Sequence, residues 1–273
     1  MGVGRLGVAL IARRIGSFTT LVLAQLAGIA FFSILVATPA ASLPRLHPGL
    51  LLLPVIGISG ALSYLAFYRA LELGPIALVS PIAAGYAAIV IALSLAFLRE
   101  HVAALALAGA ATIIAGVVLA STDLRKLPTE ERRARGGIFF AVLAMVGFGV
   151  GAFLIAVFAR DTGWFGTIYL SRLGSAATLG AILAVRGGRD LRAAGAKRVG
   201  PAFGIGILDI AGFALYARGA EVGRVSITAA ASVIYPLIPI LVGVSYLRER
   251  PAPSQWVGVA AVGAGLVLLT LGR

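Results

Sequence analysis

Long apolar runs separated by short polar turns make up almost the whole chain. Nine runs can be drawn, and each approaches the roughly 20 residues that an α-helix needs to cross a bilayer. Their approximate bounds are 18–40, 50–71, 75–98, 102–121, 136–159, 164–185, 199–217, 225–247 and 254–271. Strands of a membrane barrel would instead alternate over about 10 residues. The pattern therefore predicts an all-α integral membrane protein.

Composition supports the membrane prediction and excludes several chemistries. Hydrophobic residues make up 60% of the 273 residues and charged residues 12%, whereas soluble domains carry about 25% charged residues. The absence of cysteine excludes disulfides, thiolate metal sites and cysteine nucleophiles. Two isolated histidines and the lack of a phosphate loop or nucleophile elbow predict no metal, no cofactor and no enzyme.

The net charge of +13 is spread over short basic clusters between the apolar runs. Basic residues in short loops are typical of membrane topology, whereas a nucleic-acid surface concentrates them on one stripe or tail. The layout therefore predicts the lipid bilayer as a partner and excludes nucleic acid.

The chain contains an internal repeat. Shifting the sequence by 149 positions places Gly57 on Gly206 and Tyr86 on Tyr235 without a gap. The same shift superimposes Arg69, Glu72, Gly74, Leu98-Arg99-Glu100, Gly109 and Gly116 on Arg218, Glu221, Gly223, Leu247-Arg248-Glu249, Gly258 and Gly265. Chance matches between apolar residues are expected, but charged, aromatic and glycine matches at one offset indicate two related halves.

The earlier part of the first half aligns at a shift of 147, which places Gln25 on Arg172 and Met1 on Phe148. Residues 136–147 then have no counterpart, so we expect the first helix to be incomplete. A start codon assigned too late and a genuine half-helix both remain open. The predicted domains are a first repeat over 1–121, a basic linker over 122–135 and a second repeat over 136–273.

Each repeat would hold five helices in a ten-helix plan whose first helix is truncated. Because five is odd, two consecutive units must enter the membrane in opposite senses. Inverted repeats of this kind are common among secondary transporters.

Motifs in both halves resemble the EamA domain of the drug/metabolite transporter superfamily. The first half carries Tyr68-Arg-Ala-Leu-Glu-Leu-Gly74, Pro81 and Phe97-Leu-Arg-Glu100, and the second carries residues 219–226, Tyr235-Pro236 and residues 246–250. The resemblance covers nearly the whole chain in two copies. It implies a membrane carrier of small metabolites with a central cavity, and it does not specify the substrate.

Three polar residues inside apolar runs are candidates for a substrate or coupling-ion cavity. Asp209 has no acid or base within eight residues on either side, and a buried carboxylate is costly unless it is paired, protonated or hydrated. Arg172 can extend to an interface, pair with Asp209 or bind an anionic substrate. Gln25, the equivalent of Arg172, is also polar. The alternative for Asp209 is a hydrogen bond that serves packing.

Tyr86 and Tyr235 are further cavity candidates because they are equivalent and lie near the middle of their runs. Buried packing explains them equally well, and tyrosines near helix ends, Tyr64 among those considered, are typical of interfacial belts. Pro81 and Pro236 are expected to interrupt the two runs that contain Tyr86 and Tyr235.

Charged residues at the helix ends are interpreted as structural. Arg69 and Glu72 lie three positions apart, as do Arg218 and Glu221, so each pair shares one helix side. Arg99-Glu100 and its equivalent Arg248-Glu249 are expected to be interfacial charge pairs that cap helix ends.

Taken together, the sequence predicts a secondary transporter that moves a small metabolite across the cell membrane by alternating access. If transport is coupled to protons, Asp209 is the candidate for the titrating group. A non-transporting scaffold or partner subunit is the alternative, and a lipid-modifying enzyme is disfavoured because it would need acid/base or metal clusters. Whether the chain forms a homo-oligomer stays open.

Overall fold

The computed structural model describes residues 17–36, 48–74, 76–121, 135–185, 196–232 and 252–272. These residues form helices and short turns and contain no strand, which confirms the all-helical prediction. The helices are α1 (Ser17–Leu35), α2 (Leu52–Leu73, preceded by the 3-10 turn Pro48–Leu51), α3 (Ile76–Ala84), α4 (Tyr86–Phe97), α5 (Ala104–Ser121), α6 (Arg135–Thr162), α7 (Trp164–Val185), α8 (Ala196–Val222), α9 (Val225–Ser232) and α10 (Pro253–Leu271).

Four helical segments within the described ranges are long and apolar enough to cross a membrane. They are Gly49–Leu73, Gly136–Thr162, Trp164–Val185 and Pro253–Leu271. Three shorter apolar helical segments accompany them, at Leu21–Leu35, Ile82–Phe97 and Ala104–Ala120. The helices of the described chain thus have the length and composition of several membrane spans.

One expected helix break is misplaced in the sequence analysis. The sequence predicts that Pro81 interrupts the run 75–98, but α3 continues through it to Ala84. The break comes at Gly85, whose amide donates to the carbonyl of Ile82 at 3.0 Å, a tight turn that ends α3. A Cβ at Gly85 would lie 2.8 Å from Sδ of Met145, so the closely packed α6 favours glycine at this point.

Several sequence predictions fall outside the described residues. The incomplete first helix concerns residues 1–16, and the linker 122–135 is described only from Arg135, which begins α6. Tyr235, Pro236 and Arg248-Glu249 also lie outside the described ranges.

The helices fall into two compact units, and each unit takes helices from both halves of the chain. The first unit spans residues 3–68 and 154–222 and is built on contacts among α1, α7 and α8. The second spans residues 69–153 and 223–273 and includes the packed pairs α5–α10 and α4–α9.

Glycines allow α5 and α10 to approach closely in the second unit. A Cβ added to Gly109 would lie 2.7 Å from the carbonyl oxygen of Gly265, and one added to Gly116 would lie 2.8 Å from that of Gly258. Gly109 is the repeat equivalent of Gly258, and Gly116 is that of Gly265. The contacts are therefore reciprocal, as they are across a two-fold axis. Small residues permit such close backbone packing in membrane helices.

Glu100 connects the end of α4 to the start of α9 within the second unit. Its carboxylate accepts hydrogen bonds from the amides of Val225 at 2.8 Å and Ser226 at 3.1 Å, and from the Ser226 hydroxyl at 2.7 Å. The first amides of a helix lack intrahelical partners and favour a negative charge. The residue before it, Arg99, has a left-handed backbone with φ of 50°. The Glu100 carboxylate thus caps a helix distant in sequence, while the Glu100 amide lies 3.5 Å from the carbonyl oxygen of Ser94 in its own helix.

Removing this cap should reduce stability more than removing an exposed ion pair. We expect Glu100→Ala to lower the free energy of unfolding by about 1–2 kcal/mol, because it leaves the first amides of α9 without their acceptor. The matched control is Glu72→Ala, which breaks the exposed bond between Glu72 and Arg69. Such a pair contributes about 0–1 kcal/mol. Equilibrium unfolding in detergent micelles measures both, and equal losses would contradict the capping role.

Candidate functional site

Arg172 is a buried cation in the middle of α7. Its Nη1 donates to Oε1 of Gln25 on α1 at 2.7 Å, and its guanidinium carbon lies 4.9 Å from the ring centre of Phe213 on α8. The residue is only 8% exposed, and its guanidinium contacts Gln25 and Asp209 inside the helix packing. Gln25 is itself buried, and its Nε2 donates to the hydroxyl of Ser175 at 3.4 Å.

Asp209 on α8 forms the acidic part of the same group. Oδ2 of Asp209 lies 3.4 Å from Nη2 of Arg172, and the Tyr64 hydroxyl on α2 lies 3.1 and 3.0 Å from Oδ1 and Oδ2. The carboxylate is thus held more closely by the tyrosine than by the arginine. Gln25, Tyr64, Arg172 and Asp209 are called the polar cluster below, and all four belong to the first unit.

The polar cluster and the Phe213 ring beside it fill two complete pairs of repeat-equivalent positions and one member of a third pair. Gln25 corresponds to Arg172 at a shift of 147, and Tyr64 corresponds to Phe213 at a shift of 149. Asp209 corresponds to Gly60 at the same shift. The two halves therefore contribute the same positions with different side chains, and Arg172 contacts its own equivalent.

Close helix crossings on either side of the cluster are also reciprocal. A Cβ on Gly57 of α2 would overlap the main-chain carbonyl oxygen of Ser171 on α7. A Cβ on Gly206 of α8 would lie 2.5 Å from the main-chain oxygen of Ala24 on α1. Gly57 is equivalent to Gly206, and Ala24 to Ser171. The cluster thus lies between two matching contacts, as expected close to a local two-fold axis.

The structure brings together three of the five residues predicted for the cavity, namely Gln25, Arg172 and Asp209. Tyr86 belongs to the second unit, where its hydroxyl lies 2.6 Å from the hydroxyl of Ser232. Tyr235 lies outside the described residues. The assignment of these five residues to a substrate or coupling-ion cavity stays a prediction.

Tyr64 is the member of the polar cluster that sequence reasoning missed. Its sequence position is compatible with an interfacial belt, but the residue is 8% exposed and its hydroxyl lies 3.0 Å from Oδ2 of Asp209. One sequence signal could have found it, because Tyr64 lies four residues after Gly60, the equivalent of Asp209. Residues four apart share a helix face.

The cluster provides a charged and hydrogen-bonding group inside a mostly apolar helix packing. Arginine has a rigid fork of donors suited to carboxylates and phosphates, and a carboxylate can accept a cation or a proton. Ionisable residues within membrane helices commonly mark substrate or ion pathways. Among the described residues, no group of three or more His, Cys, Asp or Glu side chains is arranged to hold a metal ion.

Comparison with known proteins identifies the family but not a substrate. One solved structure, titled "Crystal structure of protein", has a TM-score of 0.68 at 20% identity and covers 99% of this chain and 97% of its own. At that identity the similarity shows the fold alone. No curated protein matches the chain.

The model of the EamA-like transporter family matches residues 2–122 and again residues 135–271. The two matches correspond to the two halves recognised from the internal repeat. Together with the apolar helices, they show a multi-pass membrane protein. The chain belongs to the EamA-like transporter family, within the drug/metabolite transporter superfamily.

Proposed function

We propose that this chain is a secondary transporter that carries a small metabolite across the cell membrane, with the bilayer as its environment. The observation that carries the proposal is the buried pair of Arg172 and Asp209, bound by Gln25 and Tyr64 inside apolar helices. Charged side chains buried within membrane helices are costly and are retained mainly where they serve a substrate or ion pathway. Packing alone would be satisfied by apolar side chains.

Alternating access between two inverted five-helix repeats is the mechanism we propose. The support is the doubled family match and the reciprocal contacts of equivalent residues, such as Gly57 with Ser171 and Gly206 with Ala24. In such carriers the two repeats exchange conformations about a site near the membrane midplane. A polar cluster built from equivalent positions is suited to that role, because both repeats contribute to it in either conformation.

Purified protein in proteoliposomes tests the transport function directly. Uptake of radiolabelled carboxylates, amino acids, sugars, nucleosides and polyamines is compared between wild type, Arg172→Gln and protein-free vesicles. We expect at least one class of solute to enter wild-type vesicles faster than protein-free vesicles. The uptake rate of that class should fall at least tenfold with Arg172→Gln. Arg69→Gln, which alters the exposed pair with Glu72, is the control expected to retain uptake. If no class exceeds the protein-free rate, a scaffold role is favoured.

A further inference from the structure

The face of α2 that carries Gly60 is directed toward the polar cluster. Gly57, Gly60 and Tyr64 are spaced three and then four residues apart, so they share one side of the helix. Gly57 packs against the backbone of α7, and Tyr64 contacts Asp209 on α8. Gly60 lies between these two contacts along the helix.

The space directly beside Gly60 is open. A Cβ built on this glycine would have no atom of the described residues within 4 Å, whereas a Cβ on Gly57 would meet backbone. Gly60 is the repeat equivalent of Asp209, so on the second half a carboxylate occupies the corresponding position. Asp209 lies beside Arg172, and Gly60 and Gln25 are the repeat equivalents of these two residues, so the repeat relation indicates that a carboxylate at position 60 would be directed toward Gln25.

Arg172 has capacity to bind such a group. A guanidinium carries five N–H donors. Among the described residues, Gln25 accepts a hydrogen bond from one of them and Asp209 from another. The bond to Asp209 is 3.4 Å long, whereas charge-assisted bonds of this type are usually about 2.7–2.9 Å. The shorter bond, 2.7 Å, joins Arg172 to the neutral Gln25 amide. The cation is thus weakly compensated on the side of Gln25.

We propose that the open space beside Gly60 is a subsite for a carboxylate group of the transported solute, and that Arg172 binds this group. The proposal rests on the transport function proposed above and adds the chemical class of the substrate. The bound carboxylate takes the position equivalent to that of the Asp209 side chain and receives donors from Arg172 and from the amide of Gln25.

A second-site rescue tests the geometry without any ligand. We expect Asp209→Asn to lower the unfolding temperature, because it leaves Arg172 without its counter-ion. Gly60→Asp in the same chain should restore most of that loss by supplying a carboxylate on the other side of Arg172. Gly60→Asn, of the same shape but neutral, should not restore it. Gly180→Asp should not restore it either, because it puts a carboxylate on α7 at a glycine that also has open space beside it but lies outside the polar cluster.

A ligand titration tests the subsite itself with propionate and its neutral analogue propionamide. In detergent micelles, we expect propionate to stabilise the wild type in a saturable way and propionamide to have no effect. Gly60→Asp should weaken propionate binding at least tenfold, because its tethered carboxylate occupies the subsite.

The two tests separate failure of the subsite from failure of the transport function. Absence of rescue by Gly60→Asp, or equal binding of propionate and propionamide, would overturn the subsite even if the protein transports another solute. Rescue and selective propionate binding without uptake of any carboxylate into vesicles would support the subsite and contradict the transport function on which it rests.

Discussion

Replacing Arg172 by methionine is expected to lower the free energy of unfolding by about 3 kcal/mol, among the largest effects of any single substitution in this chain. Methionine retains much of the volume of the side chain, so the loss is electrostatic. The change leaves the Asp209 carboxylate in an apolar packing with the Tyr64 hydroxyl as its main donor. It also removes the donor of the 2.7 Å bond to Gln25.

The double variant Arg172→Met/Asp209→Asn distinguishes an ion-pair effect from simple loss of packing. Removing both charges abolishes the uncompensated carboxylate, while asparagine keeps an acceptor for Tyr64. We therefore expect the double variant to recover more than half of the loss, since replacing a buried ion pair by neutral groups is often close to neutral in stability. The measurement is equilibrium unfolding of all four proteins in one detergent. Additive losses would mean that Arg172 and Asp209 do not interact.

The sequence predicted the charged members of the polar cluster because charge is conspicuous in a membrane helix. Arg172 and Asp209 interrupt apolar runs, and the repeat alignment drew attention to Gln25. The contact between equivalent residues, Gln25 with Arg172, could not be read from the sequence. An internal repeat shows which positions correspond, but it does not show whether they meet.

Tyr64 and Glu100 show where sequence reasoning reached its limit. A tyrosine is compatible with an interface, a packed core and a polar site, so the sequence does not distinguish these roles for Tyr64. The structure does, because the Tyr64 hydroxyl donates a hydrogen bond to Asp209. Glu100 was interpreted from its neighbour Arg99, yet its carboxylate binds the start of a helix 125 residues away. Local patterns report local structure, and both contacts are long-range.

The apolar runs predicted the helical segments well, because period and length are local properties. Each of the nine runs overlaps at least one helix among the described residues. The exception in detail is the run 75–98, which breaks at Gly85 and not at Pro81. The preference for glycine there depends on packing against Met145, a residue of another helix. Hydropathy identifies the helix but does not identify the neighbour that shapes it.

Valine at Gly57 is expected to prevent stable folding of the first unit. The added Cβ overlaps the main-chain carbonyl oxygen of Ser171, and backbone cannot give way as a flexible side chain does. Ser171 directly precedes Arg172, so any separation of α2 from α7 also displaces the guanidinium from Gln25. We expect a loss of more than about 3 kcal/mol, beyond the usual overpacking cost of 1–3 kcal/mol.

The reciprocal contact provides a second, independent version of the same prediction. Gly206→Val should cause a comparable loss, because its Cβ lies 2.5 Å from the main-chain oxygen of Ala24, the equivalent of Ser171. Gly180→Val on α7 is the control, since a Cβ there meets no atom of the described helices within 4 Å. Size-exclusion chromatography and the unfolding temperature in micelles measure the outcome. If Gly57→Val and Gly206→Val are as stable as Gly180→Val, the helices around the polar cluster are not held in backbone contact, and a rigid frame for Arg172 and Asp209 must be sought elsewhere.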